Sequence, residues 1–186
     1  AAALSQVGLR EGELRDIGPV APLDDPRNRL SAAWEDGRLT VLSLQDEDLE
    51  ALPDLSKANA LRVLDLSGNR IAALEAARLP PSLEVLDISG NQLADLTPLA
   101  KLGGLRSLSA RDTGVTDVTP LLALPLEQAD LRNCRVRELP QELPKHRGFR
   151  IDLAGCPVAQ PPGLLEKWNF AYAQGGAPGG VQTVEG

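Results

Sequence analysis

The chain has 186 residues, with 26 acidic against 19 basic side chains and a formal net charge of −7. That size fits one domain, or one domain with caps and a tail. The acidic balance argues against phosphate-backbone binding, which needs a basic face. The longest apolar runs, such as Leu121, Leu122, Ala123 and Leu124 between two prolines, fall far short of the roughly 20 residues a bilayer span needs. Apolar residues make up 42% of the chain and aromatics only 3%, so the core must be aliphatic and mostly leucine, which suits many small repeated layers. Methionine is absent, the initiator included, and this reads as a fragment or processed product of something longer. No signal peptide with a charged start and an apolar centre opens the chain, although one could have been removed.

In chain order, residues 1–38 are expected to form a helical N-terminal cap. Leu4, Val7, Leu9, Leu14 and Ile17 can make a short amphipathic helix. Asp25 to Trp34 reads as a second helix, with Asp25 as its N-cap and Pro26 at its first position. Trp34 would then cover the leucines that follow.

From residue 39 the chain repeats itself. Leu61-Arg-Val-Leu64-Asp-Leu66-Ser-Gly-Asn69-Arg-Ile71 recurs as Leu83-Glu-Val-Leu86-Asp-Ile88-Ser-Gly-Asn91-Gln-Leu93, a shift of 83 minus 61, or 22 residues. First positions fall at 39, 61, 83, 105, 126 and 148, the last degraded to glycine. Each repeat begins with alternating apolar and polar residues, which is strand periodicity, and the Gly-Asn or Arg-Asp that follows turns the chain away. One short strand per period cannot bury its leucines alone, so successive strands must stack into a parallel sheet. Position nine faces inward at the turn and must satisfy backbone groups between coils. The amides of Asn69 and Asn91 suit that task because they both donate and accept, while Thr113, Cys134 and Cys156 fill the same ladder and Glu47 breaks it. About twelve residues remain for each return path, with proline at 80, 98, 120 and 140, so that side is expected to be 3₁₀ turns and extended chain. Leu164, Leu165, Trp168 and Tyr172 share a helical stripe that would close the last layer as a C-terminal cap at 161–173. Residues 174–186 have linker composition.

The pattern L-x-x-L-x-L-x-x-N-x-L over residues 39–160 resembles the leucine-rich repeat. The resemblance implies an α/β repeat solenoid: a horseshoe with a short parallel β-sheet on its concave face and a 3₁₀ or extended convex side. Leu93-Ala-Asp-Leu96-Thr-Pro98-Leu99, echoed at Val115 to Leu121, resembles the 22-residue repeats of bacterial internalins. Leu79-Pro80, Leu124-Pro125 and Leu139-Pro140 are similar to the Leu-Pro spacing of repeat proteins injected by type III secretion.

Catalytic chemistry has little to draw on. His146, Cys134 and Cys156 offer at most a Cys-His pair, and both cysteines fall on the buried ladder position, which predicts inert thiols. A zinc site would need a fourth ligand and a spacing that is absent. The two cysteines occupy equivalent positions on adjacent coils, about 5 Å apart at Cα, so they are either a reduced pair filling the ladder or a disulfide. Lys101-Leu-Gly103-Gly104 lacks the spacing of a phosphate loop.

What remains is the sheet face, whose residues the register names in advance. Position five carries Ser43, Asp65, Asp87, Ser109, Asp130 and Asp152. Position seven carries Gln45, Ser67, Ser89, Arg111, Arg132 and Ala154. Position three carries Val41, Val63, Val85, Ser107, Gln128 and Arg150. The expected partner-binding set is Val63, Asp65, Val85, Asp87, Arg111, Asp130, Arg132 and Asp152, valines beside carboxylates forming a protein-binding strip. The plainer reading is that aspartate is common in L-D-L-S-G-N repeats. At position two, Arg62, Glu84, Arg106 and Glu127 alternate in sign, as expected of a structural cross-strand ladder.

The resulting expectation is a non-enzymatic, monomeric recognition domain of bacterial type. It needs no cofactor or metal, inserts in no membrane, and binds a protein partner, a host protein in the effector reading. It would be the substrate- or host-target-binding arm of a larger effector secreted into the host cell, or else cytoplasmic. The resemblance implies that such arms precede a catalytic domain, often a ubiquitin ligase, whose activity maps onto no residue here. The alternatives are an intracellular scaffold or enzyme regulator and an internalin-like extracellular adhesin.

Overall fold

A three-residue strand buries its apolar side chains only when other strands lie on both sides of it, and the fold is built from that need. The computed structural model describes residues 15–16, 30–141 and 149–158. Among the described residues, eight strands form one sheet in chain order: β1 (Arg15–Asp16), β2 (Leu30–Glu35), β3 (Arg38–Leu44), β4 (Val63–Asp65), β5 (Val85–Asp87), β6 (Ser107–Ser109), β7 (Gln128–Asp130) and β8 (Arg150–Asp152). From β3 to β8 all neighbours run parallel, so that Val41, Val63, Val85, Ser107, Gln128 and Arg150 stand in one row. A slip by one residue would turn the leucines outward, and the leucine pattern therefore holds this register. The result is a parallel-strand repeat solenoid. Leu61, Leu64, Leu66, Leu83 and Ile88 are fully buried inside it, continuous with Leu105, Leu126 and Leu131.

The backbone ladder continues beyond the strands. Leu66 N–H donates to Asp87 O, Ile88 to Ser109 O, Ala110 to Asp130 O and Leu131 to Asp152 O, each at 2.8 Å. At position eight the chain then turns with positive φ in every coil: Asp46, Gly68, Gly90, Asp112, Asn133 and Gly155. Glycine, asparagine and aspartate tolerate this conformation best. Neighbouring turns sit very close. A Cβ on Gly68 would collide with the carboxylate of Asp46, and one on Gly155 with the side chain of Asn133.

Position nine does the work its chemistry predicts. Asn91 Nδ2 lies 2.9 Å from Leu66 O, 3.0 Å from Ile88 O and 3.2 Å from Ser89 O, while its Oδ1 accepts from Ile71 N–H at 2.9 Å. Asn69 does the same one coil earlier, and its Oδ1 serves both Glu47 and Leu49. Downstream, Thr113 Oγ1 donates to Ala110 O at 2.7 Å, and the thiols of Cys134 and Cys156 donate to Ala110 O and Leu131 O at 3.0 Å.

On the return path the expected 3₁₀ turns are present at Ala76–Arg78, Thr97–Lys101 and Thr119–Ala123. The last two begin with Thr-Pro, whose fixed φ and missing N–H suit a first turn. Asp95 and Asp117 each accept the following threonine N–H at 2.8 Å. Leu99 and Leu121 reach from these helices into the core.

The start of the chain departs from expectation. Residues 30–35 are a strand, where Asp25 to Trp34 reads as a helix, and Arg15–Asp16 is a strand parallel to it. Among the described residues the N-terminal cap is therefore sheet and not helix. The physical reason lies in Asp36-Gly37, both at positive φ (49° and 73°), which make a two-residue hairpin loop pairing Glu35 with Arg38. The unmet hydrogen bonds of β3 on that edge are thereby satisfied by an antiparallel neighbour. Trp34 is half-buried and packs on the core as expected, but from a strand. The C-terminal cap at 161–173, the tail at 174–186 and His146 lie outside the described residues.

The ladder predicts that Asn91→Ala leaves several buried backbone groups without partners and lowers the unfolding free energy by about 2–4 kcal/mol. Thr113→Ala, which loses one donor, should cost about 1 kcal/mol. Urea midpoints at unchanged slope measure both, and equal losses would mean that the asparagine has no special role.

Candidate functional site

Side chains alternate along a strand, so Leu64, Leu86, Leu108, Ala129 and Ile151 enter the core while positions three and five face away from it. All eight residues of the expected partner-binding set fall on this one face, but they are not equally available.

Every position-five aspartate holds its own turn. Asp65 Oδ1 accepts from Ser67 N–H at 2.9 Å, Asp87 from Ser89 at 2.8 Å, Asp130 from Arg132 at 3.2 Å and Asp152 from Ala154 at 3.0 Å. The acidic stripe is thus part of how each coil leaves its strand, which supports the plainer reading of these aspartates. Asp65 is taken furthest in this direction. It is 2% exposed and also accepts from Ser67 Oγ at 2.6 Å, with Ser43 Oγ at 3.5 Å. Burial, reinforced by the charge of Asp87 beside it, pushes its carboxyl above the ordinary range despite those hydrogen bonds. Val41, Ser43 and Asp65 are buried whereas Val63, Val85 and Asp87 are half-buried, so the open part of the face begins at Val63 in the second coil.

The later coils carry a charge network. Arg132 grips Asp130 with Nη2 at 2.7 Å and Nε at 3.0 Å, and its Nε is 3.7 Å from Asp152. Arg111 Nε stands 3.6 Å from the same Asp130 carboxylate, too far for a hydrogen bond. Ser89 and Ser109 hydroxyls pair at 2.8 Å, and Gln128 Nε2 donates to Ser107 Oγ at 2.8 Å. Between these groups runs a groove of about 500 Å³ over β6, β7 and β8, lined by Arg111, Asp130 and Asp152 together with Ser107, Ser109, Gln128 and Arg150. The last four stood in the rows but outside the expected set. For Ser107, Gln128 and Arg150 the signal was the change of position three from valine to polar residues after Val85.

The position-two ladder forms in part. Arg106 pairs with Glu127 at 3.1 Å, whereas Arg62 turns to Glu35, with both carboxylate oxygens at 2.9 Å. The unforeseen strand β2 brings Glu35 to that edge. As exposed pairs, these contribute at most about 1 kcal/mol each.

The cysteines are free thiols, 3% and 8% exposed. The neighbouring Cys134 and burial push the Cys156 thiol above its ordinary range. Among the described residues no group of three or more His, Cys, Asp or Glu is placed to hold a metal ion. No helix among them is long and apolar enough to cross a membrane.

The Leucine Rich Repeat family matches two consecutive periods, residues 60–81 and 82–103. No curated protein is similar to the chain in sequence. Among solved structures, an internalin from Listeria monocytogenes superposes with a TM-score of 0.63 at 20% identity, covering 72% of this chain and 40% of its own. A leucine-rich-repeat protein of Leptospira interrogans gives 0.61 at 26% identity, covering 71% and 36%. A chain of the BIR3–SERK2 complex from Arabidopsis thaliana gives 0.57 at 22% identity, covering 87% and 94%. The matched part of this chain thus spans well under half the length of the two bacterial proteins.

Asp65 gives a pH prediction. Its folded value lies above its unfolded one, so between the two the native state binds more protons, and Asp65 costs stability at neutral pH. That cost fades as pH falls through the folded value. Asp65→Asn keeps an acceptor for Ser67 and should raise the thermal midpoint at pH 7. The advantage should shrink on acidification, and a growing advantage would contradict the assignment.

Proposed function

We propose that this leucine-rich-repeat protein, of bacterial type and similar in fold to internalins, binds a protein partner through its exposed sheet face. In this reading it is the target-selecting arm of a larger bacterial effector that acts in a host cell. One observation carries the reading. The framework is satisfied from within, by the position-nine ladder and the aspartate turns, while positions three and seven change from valine and serine to glutamine and arginine across an unbroken register. The position-three side chains take no part in that framework, so the row they form is free to be shaped for a partner. Val85 beside Asp87 and Ser89 supplies apolar area next to polar groups, the mixture that protein interfaces use.

A second reading, an internalin-like adhesin outside the cell, draws on the Thr-Pro-Leu turns. They fold as 3₁₀ helices at Thr97–Lys101 and Thr119–Ala123, the feature behind the internalin resemblance.

The face is tested by capture from eukaryotic cell lysate with three proteins in parallel. Wild type and Ala73→Arg, altered off the sheet, should retain the same protein, and Val85→Arg/Asp87→Asn, which keeps an acceptor for Ser89 N–H, should lose it with circular dichroism unchanged. Equal capture by all three would move recognition off the sheet. A partner found at the cell surface and not in the cytosol would favour the adhesin.

A further inference from the structure

On the sheet face of the fourth to sixth coils, Arg111, Arg132 and Arg150 stand beside Asp130 and Asp152, one positive charge in excess on a chain whose net charge is −7. Arg132 turns the Nε–Nη2 edge of its guanidinium on Asp130. Arg111 does not: its Nε is buried without a hydrogen bond, and the carboxylate nearest to it is already held by Arg132. Arg150 is exposed and makes no side-chain hydrogen bond or ion pair with the described residues. Two guanidiniums with unused donors therefore line one groove, and buried or half-buried donors gain most from a charged acceptor.

We infer that the groove over β6, β7 and β8 takes an extended acidic peptide segment, with one carboxylate on Arg111 and a second on Arg150. This rests on the sheet face being the recognition surface. Carboxylate fits better than phosphate because Asp130 and Asp152 share the groove and would repel a dianion more strongly than a single charge. A peptide fits better than a small anion because the two arginines are far apart. Arg111 is at position seven of the fourth coil and Arg150 at position three of the sixth. Two strand spacings by four residues is about 16 Å, or about five residues of extended chain. Between them Ser109 and Gln128 offer a hydroxyl and an amide to the peptide main chain.

The test is a titration of the ¹⁵N-labelled protein with octaglutamate, octaglutamine, octalysine and inorganic phosphate, followed through backbone amides and arginine Nε–H signals. Octaglutamate should move the Arg111 and Arg150 Nε–H signals and the Ser109 and Gln128 amides. Arg111→Gln/Arg150→Gln, with its remaining amide signals in place, should weaken that binding by about tenfold or more, as expected on losing two charge-assisted contacts. Unchanged affinity in the double variant overturns the inference. So does phosphate moving the same signals as strongly as octaglutamate. Octalysine moving Asp87 and Asp152 while octaglutamate moves nothing overturns it too, yet leaves sheet-face recognition standing. If no peptide moves any sheet-face signal, the inference fails, and recognition by this face fails with it if lysate capture is also indifferent to Val85→Arg/Asp87→Asn.

Discussion

Everything in this solenoid depends on how each coil hydrogen-bonds to the next where no strand remains to do it. Parallel strands three residues long leave most of the backbone of each period unpaired, and that backbone runs against a leucine core that excludes water. The position-nine side chain resolves this by carrying hydrogen bonds across the coil boundary. The amides of Asn69 and Asn91 both accept and donate there. The thiols of Cys134 and Cys156 donate to carbonyls of the coil before. The ladder therefore changes chemistry toward the end of the repeats, from amides to thiols. Each step still joins only neighbouring coils, and stability in a linear array is a sum over adjacent pairs.

The repeated part was legible in the residues because its determinants are local and periodic. Leucine spacing sets the register, Asn69 and Asn91 mark the inner turn, and Thr-Pro at 97–98 and 119–120 marks the 3₁₀ side. The first strand before the repeats was misread because Asp25-Pro26 and the spacing of apolar residues up to Trp34 satisfy a helix locally. What decides the outcome is the open edge of β3, a tertiary need, together with Asp36-Gly37, the hairpin signal that stands two residues after Trp34.

The candidate face was legible as a list and not as a surface. Register places Asp65 and Asp87 as equals, yet one is 2% exposed inside a hydrogen-bonded turn and the other is half open. Nor do the rows reveal that Arg132 hydrogen-bonds Asp130 while Arg111 and Arg150 make no side-chain hydrogen bond with the described residues. Side-chain reach decides such matters, and a one-letter pattern does not carry it. The aspartates show how a residue can be demanded by the turn and still display a charge, so that architecture and recognition draw on the same carboxylate.

The crowding of the position-eight turns bears on how such an array can grow. Asp46 leans over the next coil, where Gly68 has no side chain to meet it. Asn133 leans likewise toward Gly155, and toward Asp112 it makes a hydrogen bond at 2.9 Å. Each coil thus dictates what its successor can carry at that point. Repeats here obey a grammar of adjacent pairs, so a duplication or recombination event that joins coils out of order must preserve a compatible junction or repair it at once. Lengthening the solenoid is therefore easiest where glycine already follows glycine, between the coils of Gly68 and Gly90, and the central repeats are the natural template for new ones.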